Sequence, residues 1–471
     1  MTRKPQAVRR PNIIFILIDD MGWKDLGCYG STFYETPNID RLAVEGMRFT
    51  DAYAACPVCS PTRASILSGR YPARVGVTNF IGGHTQGRLI DAPYIRHLPH
   101  TEYSLARALK AGGYKTWHVG KWHLGEKDDW PERHGFDVNI GGCGWGAPRH
   151  GYFSPYNCPT LADGPDGEYL TDRLTDEAIR LIESNDGTPF FLNFWHYAVH
   201  IPIQVKRDDL AKYEAKAKRL KLDRIDPFEE GELFPCEHKK DEHVIRRKVQ
   251  SDPAYAAMVD NLDGNIGRLV EAVERAGLAD DTVFIFTSDN GGLATAEGSP
   301  TCNAPLAEGK GWMYDGGVRE PLIVKWPGGT LSGGVTDAPV ITHDLYPTIL
   351  EMTGTPDAPD HICDGESIVP ILKDPAATRR SPLFWHYPHY HPGGATPYSA
   401  VRDGDWRLVQ FFEDDRVELY NLRQDPQEGR DLAALLPEKA EELKSKLEAW
   451  RVAVGAQLPT ANPDYDPAAQ P

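Results

Sequence analysis

Apolar positions along the chain come in two textures. "PNIIFILIDD" (11–20), "PFFLNFWHYAVH" (189–200) and "DTVFIFTSDNGG" (281–292) are short unbroken apolar runs that close on polar clusters. A strand that is apolar on both faces belongs inside a sheet covered on both sides, so each run predicts a buried strand. Between the runs lie stretches with apolar residues at helical spacing. "TPNIDRLAVEG" (36–46) has a Thr/Pro start and a Gly stop, and "AYAAMVDNLDGNIGRLVEAVERAGL" (254–278) keeps the period longest. "SLARALKAGGYKTWHVGKWH" (104–123) reads as helix, glycine turn and strand, while "PLIVKWPGG" and "THDLYPTILEMTG" add one more strand and helix. The alternation predicts an α/β fold, a large mixed and mostly parallel sheet sandwiched by helices.

Beyond about residue 376 the texture changes. "PLFWHYPHY", "YSAVRDGDWRLVQFF" and "RVELYNL" read as short antiparallel strands, closed by a helix over "LPEKAEELKSKLEAWRVAV". The expected organisation is a large domain over 1–375 and a smaller α+β subdomain over 376–471 that contributes to a ligand pocket. Residues 205–252 are highly charged and show no apolar strand pattern, so they are expected to form a surface insertion.

The net charge of −17 argues against nucleic acid and anionic membranes as partners. It does not exclude a small anion held in a local basic pocket. No apolar stretch is long enough to cross a membrane. The basic lead "MTRKPQAVRR" imitates a secretory signal, but the apolar run after it is short, ends in two aspartates and lacks a small-residue cleavage site. A buried strand and a cytoplasmic location are expected; a start lying upstream would change the location to periplasmic or secreted. Eight scattered cysteines are too few for a disulfide scaffold, and free thiols in a reducing compartment are expected.

Three of the buried strands end in polar clusters, Asp19-Asp20, His196/His200 and Asp289-Asn290. In open α/β sheets ligands bind beyond the carboxyl ends of the strands, so the clusters point to one shared site. Asp19, Asp20, Asp289 and Asn290 offer only oxygen, which suits calcium or magnesium and argues against zinc. Within "CPVCSPTRASILSGR" (56–70), Pro61 suits the first turn of a helix that stops at Gly69. Cys59 then lies at the helix N-terminus, where the backbone favours an anion, and Arg63 shares its face. A cysteine there could be a nucleophile of lowered pKa. Using Cys59 for a metal or disulfide through the C-x-x-C with Cys56 would block its chemistry, and Cys56 is read as packing.

"CSPTRASILSGR" resembles the signature of the type I, formylglycine-dependent sulfatase family of the alkaline phosphatase superfamily, C-x-P-x-R followed by a short helix and a glycine. The resemblance runs through "PNIIFILIDDMGWKDLGCYG", "TPNIDRLAVEGMRFTDAYA", "GYKTWHVGKWHLG", "TSDNGG" and "PLAEGKGWMYDGGVREPLIVKWPG". It implies a sulfatase that hydrolyses a sulfate monoester through formylglycine made from Cys59 by a maturation enzyme. Hydrated formylglycine would attack sulfur, form a sulfo-enzyme and expel sulfate by elimination. By the same resemblance, Asp19, Asp20, Asp289 and Asn290 hold calcium together with residue 59, and Arg63 holds the hydrate. Lys121 binds sulfate, His123 contacts residue 59 as base, His200 protonates the departing oxygen and Lys310 clamps sulfate oxygens. His196 has two readings, support of its neighbours or packing.

Specificity is expected in the loops "NFIGGHTQGR" (79–88), "GGCGWGAPRHGYFSPY" (141–156) and "WHYPHYHPGG" (385–394), rich in aromatic and hydrogen-bonding side chains. His84, Trp145, Arg149, His386 and His389 are the candidate substrate contacts, for a carbohydrate sulfate such as a galactose-type sugar or an oligosaccharide end. Trp385 reads equally as packing between subdomains. The alternatives are a phosphonate or phosphate monoester hydrolase of the same superfamily, and a non-catalytic sulfated-sugar-binding protein if Cys59 is not converted.

Overall fold

The computed structural model describes residues 10–236, 239–379 and 382–465; the basic lead over 1–9 lies outside them. A nine-stranded sheet runs in the order Gly334–Thr336, Met47–Tyr53, Arg319–Lys325, Thr282–Ser288, Asn12–Ile18, Phe190–Trp195, Lys115–Gly120, Val138–Ile140, with Val340–Ile341 also on Met47–Tyr53. Every pairing is parallel except the two made by Arg319–Lys325. The sheet is mixed and mostly parallel.

The central strand shows why the apolar runs are unbroken. Ile14, Ile16 and Ile18 enter the core on one face, and Ile13, Phe15 and Leu17 the core on the other; all six are fully buried. Each contributes about 1.5–3 kcal/mol of burial. Helices Pro37–Glu45, Leu170–Glu183 and Pro253–Arg275 cover the first face, while Cys59–Ser68, Leu105–Ala111 and Leu345–Thr353 cover the second. Trp195 and Trp122 stack at 6.3 Å within the second core.

A four-stranded antiparallel sheet, Leu383–Tyr387, Tyr398–Asp403, Trp406–Phe411 and Val417–Asn421, follows in chain order and packs with the helix Pro437–Val454. Trp385 is a packing residue: it is buried, lies edge-on to Tyr53 at 5.2 Å and donates its indole N–H to Ala54 O at 2.8 Å. Residues 205–252, expected to be a surface insertion from their charge and lack of apolar strand pattern, hold a helix Arg207–Arg219 and a hairpin of Phe228–Leu233 with His243–Arg247. The helix buries Tyr213 and Ala217 in the first core. Of the hairpin's strand residues only Val244 and Arg247 are buried, which is why no apolar alternation marks it in the sequence.

Candidate active site

The carboxyl ends of four neighbouring strands converge, and the helix Cys59–Ser68 points its N-terminus at the same spot. All ten residues of that helix are buried, so its start is fixed by packing on every side. Asp20 and His123 hold the left-handed backbone at φ 60° and 55°. Non-glycine residues persist there only when their surroundings over-determine them, a pattern that gathers at functional sites.

Asp19, Asp20 and Asp289 are fully buried and each turns one carboxylate oxygen to within 4.8 Å of the others. Lys121 Nζ donates to both oxygens of Asp19 at 2.9 and 2.7 Å. Arg63 donates Nε to Asp289 at 2.9 Å and Nη1 to Lys121 O at 3.0 Å, with its guanidinium over the Trp195 ring at 5.1 Å. Lys310 Nζ donates to Asp20 at 2.9 Å and to His200 Nε2 at 3.2 Å. Asn290 donates Nδ2 to Asp20 at 2.7 Å, and its buried Oδ1 has no hydrogen-bond partner. Burial pushes the Asp19 carboxyl well above the usual range, with Asp289 and Asp20 adding to it and Lys121 opposing. Burial acts the same way on Asp20, but Lys310, His200 and Lys121 override it and hold that carboxyl low. Crowded carboxylates and an orphaned amide oxygen fit a hard cation, which would be held by Asp19, Asp20, Asp289 and Asn290.

Cys59 Sγ lies 3.2 Å from His123 Nδ1. His123 Nε2 faces Ile81 O at 3.1 Å, and a carbonyl can only accept, so Nε2 carries the hydrogen and Nδ1 meets residue 59 as an acceptor. Burial, helped by Lys121, holds His123 well below its ordinary pKa and therefore neutral. The same reasoning assigns the hydrogen of His200 to Nδ1, which donates to Ile201 O at 2.9 Å. Burial and then Lys310 lower the pKa of His200. The thiol of Cys59 is not lowered, as the helix N-terminus alone suggests: burial pushes it up, and Lys121 and Lys310 offset only part. Cys56 is buried, and all eight cysteines are free.

The candidate substrate residues divide. Trp145 and Arg149 lie on a loop that crosses the site, since a Cβ on Gly146 would meet His123 Cε1 at 2.6 Å. The Arg149 guanidinium stands over the Trp145 ring at 5.5 Å. His84 is exposed and lines an open cavity of about 400 Å³ with Phe80, Thr85 and Pro392. The neighbouring Ile81 binds Ser60 through its N–H and His123 through its carbonyl.

His386 and His389 are not brought to the site. His386 spends both ring nitrogens on Ser399 and Gln457 O, and burial lowers its pKa to about 3. His389 is buried against Thr78 at 2.9 Å and Asp91 at 3.6 Å, supporting the 79–88 loop from behind. His391, two residues further on, packs on Gly311 beside Lys310, where a Cβ would meet the ring at 2.1 Å, and lies 6.1 Å from Phe80. His386 lies within the strand, while His389 and His391 follow its end where the chain turns, so alternation cannot rank those two. His196 packs on Phe194 at 4.1 Å with both nitrogens unpartnered, the packing alternative. Glu297 was not foreseen at all. Its carboxylate comes within 3.7 Å of Lys310, and nothing in "TAEGSP" signals that.

The sulfatase family profile matches residues 11–355, and one described as N-sulphoglucosamine sulphohydrolase, C-terminal, matches residues 308–453. A sulfatase of Formosa agariphila is 33% identical over 95% of this chain and 90% of its own length. The N-acetylgalactosamine-6-sulfatase of Sus scrofa is 32% identical over 81% of this chain and 69% of its own. Among solved structures, Ps i-CgsB in complex with k-i-k-neocarrahexaose superposes with a TM-score of 0.74 at 27% identity, covering 94% of this chain and 92% of that one.

Proposed function

The chain belongs to the sulfatase family and is a sulfuric ester hydrolase, and on that premise we propose that it removes sulfate from a carbohydrate, with residue 59 as formylglycine and calcium as its metal. The observation that carries this is the meeting of Lys121, Lys310, His123 and His200 around Cys59 beside three buried carboxylates. Oxygen-only donors suit a hard cation, and four protein donors suit calcium better than magnesium, which is usually held by one or two carboxylates and water. With calcium bound and Cys59 oxidised, the site supplies an oxygen nucleophile and charge to stabilise the sulfuryl group. Lys121 and Lys310 present ammonium groups to the sulfate oxygens, where developing charge is stabilised. His123, with Nδ1 open toward residue 59, accepts a proton there. His200 and Lys310 share a proton at the position from which the ester oxygen departs. Arg63 holds Asp289 and the end of the Lys121 strand in register.

The carbohydrate reading is supported by the named substrates of relatives and by the stacking and hydrogen-bonding groups at the mouth, Trp145, Arg149 and His84. Cys59 is 3% exposed within a helix buried on every side, so a maturation enzyme has to reach it before the helix closes. The test is mass spectrometry of the Cys59 peptide, followed by sulfate release from sugar sulfates and from matched aryl sulfates and phosphonates. An aldehyde mass with sulfate released from sugars is expected. A converted enzyme that prefers the phosphonate, or releases nothing from sugars, overturns the reading.

A further inference from the structure

We propose that Glu297 is a specificity-determining residue, whose carboxylate receives a hydroxyl of the sugar next to the sulfated carbon and rejects a second anionic group there; this rests on the carbohydrate sulfatase reading. Three observations carry it. The first is position: one carboxylate oxygen each of Glu297 and Asp20 and a ring nitrogen of His200 lie within 4.8 Å of one another, and Lys310 Nζ is 3.7 Å from Glu297. This is the side of the site from which the ester oxygen leaves, so the substrate's carbon skeleton stands there.

The second is that the carboxylate is still open. At 3.7 Å Lys310 is outside good hydrogen-bond range, and its short contacts go to Asp20 and His200. The Glu297 side chain remains 32% exposed, unlike the fully buried acids below it. A negative charge beside a sulfate clamp weakens anion binding by simple Coulomb repulsion. A substrate hydroxyl donating to it turns that cost into a charge-assisted hydrogen bond, whereas a neighbouring sulfate or carboxylate compounds it.

The third is that the loop is built to hold this residue. Glu297, Gly298 and Ser299 all take the left-handed backbone, with φ of 54°, 87° and 45°. The turn is pinned from both sides. Ser299 N donates to Ala296 O at 2.8 Å, Arg247 N to Ala294 O at 2.9 Å, and Arg247 Nε to Ser299 O. Ser299 Oγ donates to Ile245 O at 3.2 Å, and Trp312 Nε1 to Thr295 Oγ1 at 3.0 Å. The charged insertion thus acquires a role, since its hairpin braces the loop that carries Glu297.

The experiment compares the wild type with Glu297→Gln on nitrophenyl sulfate, which has no hydroxyl to read, on galactose monosulfates, and on the matching galactose disulfate. The readout is the ratio of kcat/KM between substrates, which is insensitive to the fraction of active enzyme. The glutamine still accepts through its amide oxygen, so the variant exchanges a charge-assisted hydrogen bond for a neutral one, which is expected to lower the monosulfate-to-aryl ratio by roughly five- to tenfold. The disulfate-to-monosulfate ratio is expected to rise. A monosulfate-to-aryl ratio unchanged within about twofold, or raised, overturns the assignment, because the lost charge assistance is expected to cost more than that. A wild type that cleaves the aryl ester and none of the sugars sinks the carbohydrate reading itself and this inference with it.

Discussion

Two buried clusters of charge hold this molecule together, and their members nearly match. At the strand ends, Asp19, Asp20 and Asp289 face Arg63, Lys121 and Lys310. Where the four-stranded C-terminal sheet meets the main sheet, Asp51, Asp315 and Glu428 face Arg319, Arg402 and Arg407. Three acids oppose three bases in each, yet the clusters do different work. The junction uses arginine throughout. Arg402 joins Asp51 at 2.7 Å, and Arg319 bridges Asp51 and Asp315. Arg407 pairs with Asp315 and lies 3.5 Å from Glu428, and Asp315 N donates to Glu428 at 2.6 Å. A planar guanidinium spans two carboxylates at fixed angles and stays charged. The strand-end cluster instead uses two lysines, compact charges able to exchange a carboxylate for a sulfate oxygen, and leaves Asn290 Oδ1 unpaired. One cluster locks and the other stays exchangeable.

The comparison breaks most sharply at residue 59. Cys59→Ala is expected to lower turnover by about 10⁴-fold or more, with the thermal transition unchanged by calorimetry. Lys310→Ala is expected to lower kcat/KM on sulfate esters by about 10²–10³-fold; with calcium bound Asp20 keeps a counter-charge, so Tm is expected to fall less than in the junction variants, and an equal fall would erase the distinction. At the junction, Arg407→Ala leaves Asp315 and Glu428 short of a buried partner and is expected to cost about 3–5 kcal/mol in denaturant titration. Activity per folded molecule should stay.

Chelation separates the clusters by ligand. Removing the metal is expected to cost activity and, relative to saturation at about 100 times Kd, about 2.7 kcal/mol of stability. Calcium should restore both, and Asn290→Ala should shrink the calcium-dependent shift in Tm. The last comparison concerns pH. Burial raises Glu428 to about 8, with Arg407 opposing. The folded state therefore keeps a proton that the unfolded chain loses near its ordinary value of 4.5. This contribution to stability is full below that value and is lost as pH rises through about 8. Glu428→Gln is expected to flatten the stability profile across this window. A profile as steep as the wild type's would assign the titration elsewhere.

The strands were legible because burial on two faces leaves an unbroken apolar run, as in 12–18 and 282–288. The strand-end acids were legible because polar residues closing such runs have few other reasons to be there. Cys59 was legible through Pro61, Arg63 and Gly69, which mark one helix and its face. The hairpin 228–247 was not, since a solvated two-stranded ribbon buries too little to leave a pattern. Nor were His391 and Glu297, because residues in turns carry no period from which a direction can be read.

The sequence by itself determined the fold class, the family and the set of residues that the strand ends deliver, since periodicity and local spacing are properties of neighbours along the chain. Which nitrogen of His123 faces residue 59, which of three histidines packs beside Lys310, and that a glutamate stands beside the sulfate clamp were decided only by tertiary structure. Those facts depend on contacts between segments such as Cys59 and His123, or Lys310 and Glu297, that adopt their mutual positions when the cores close.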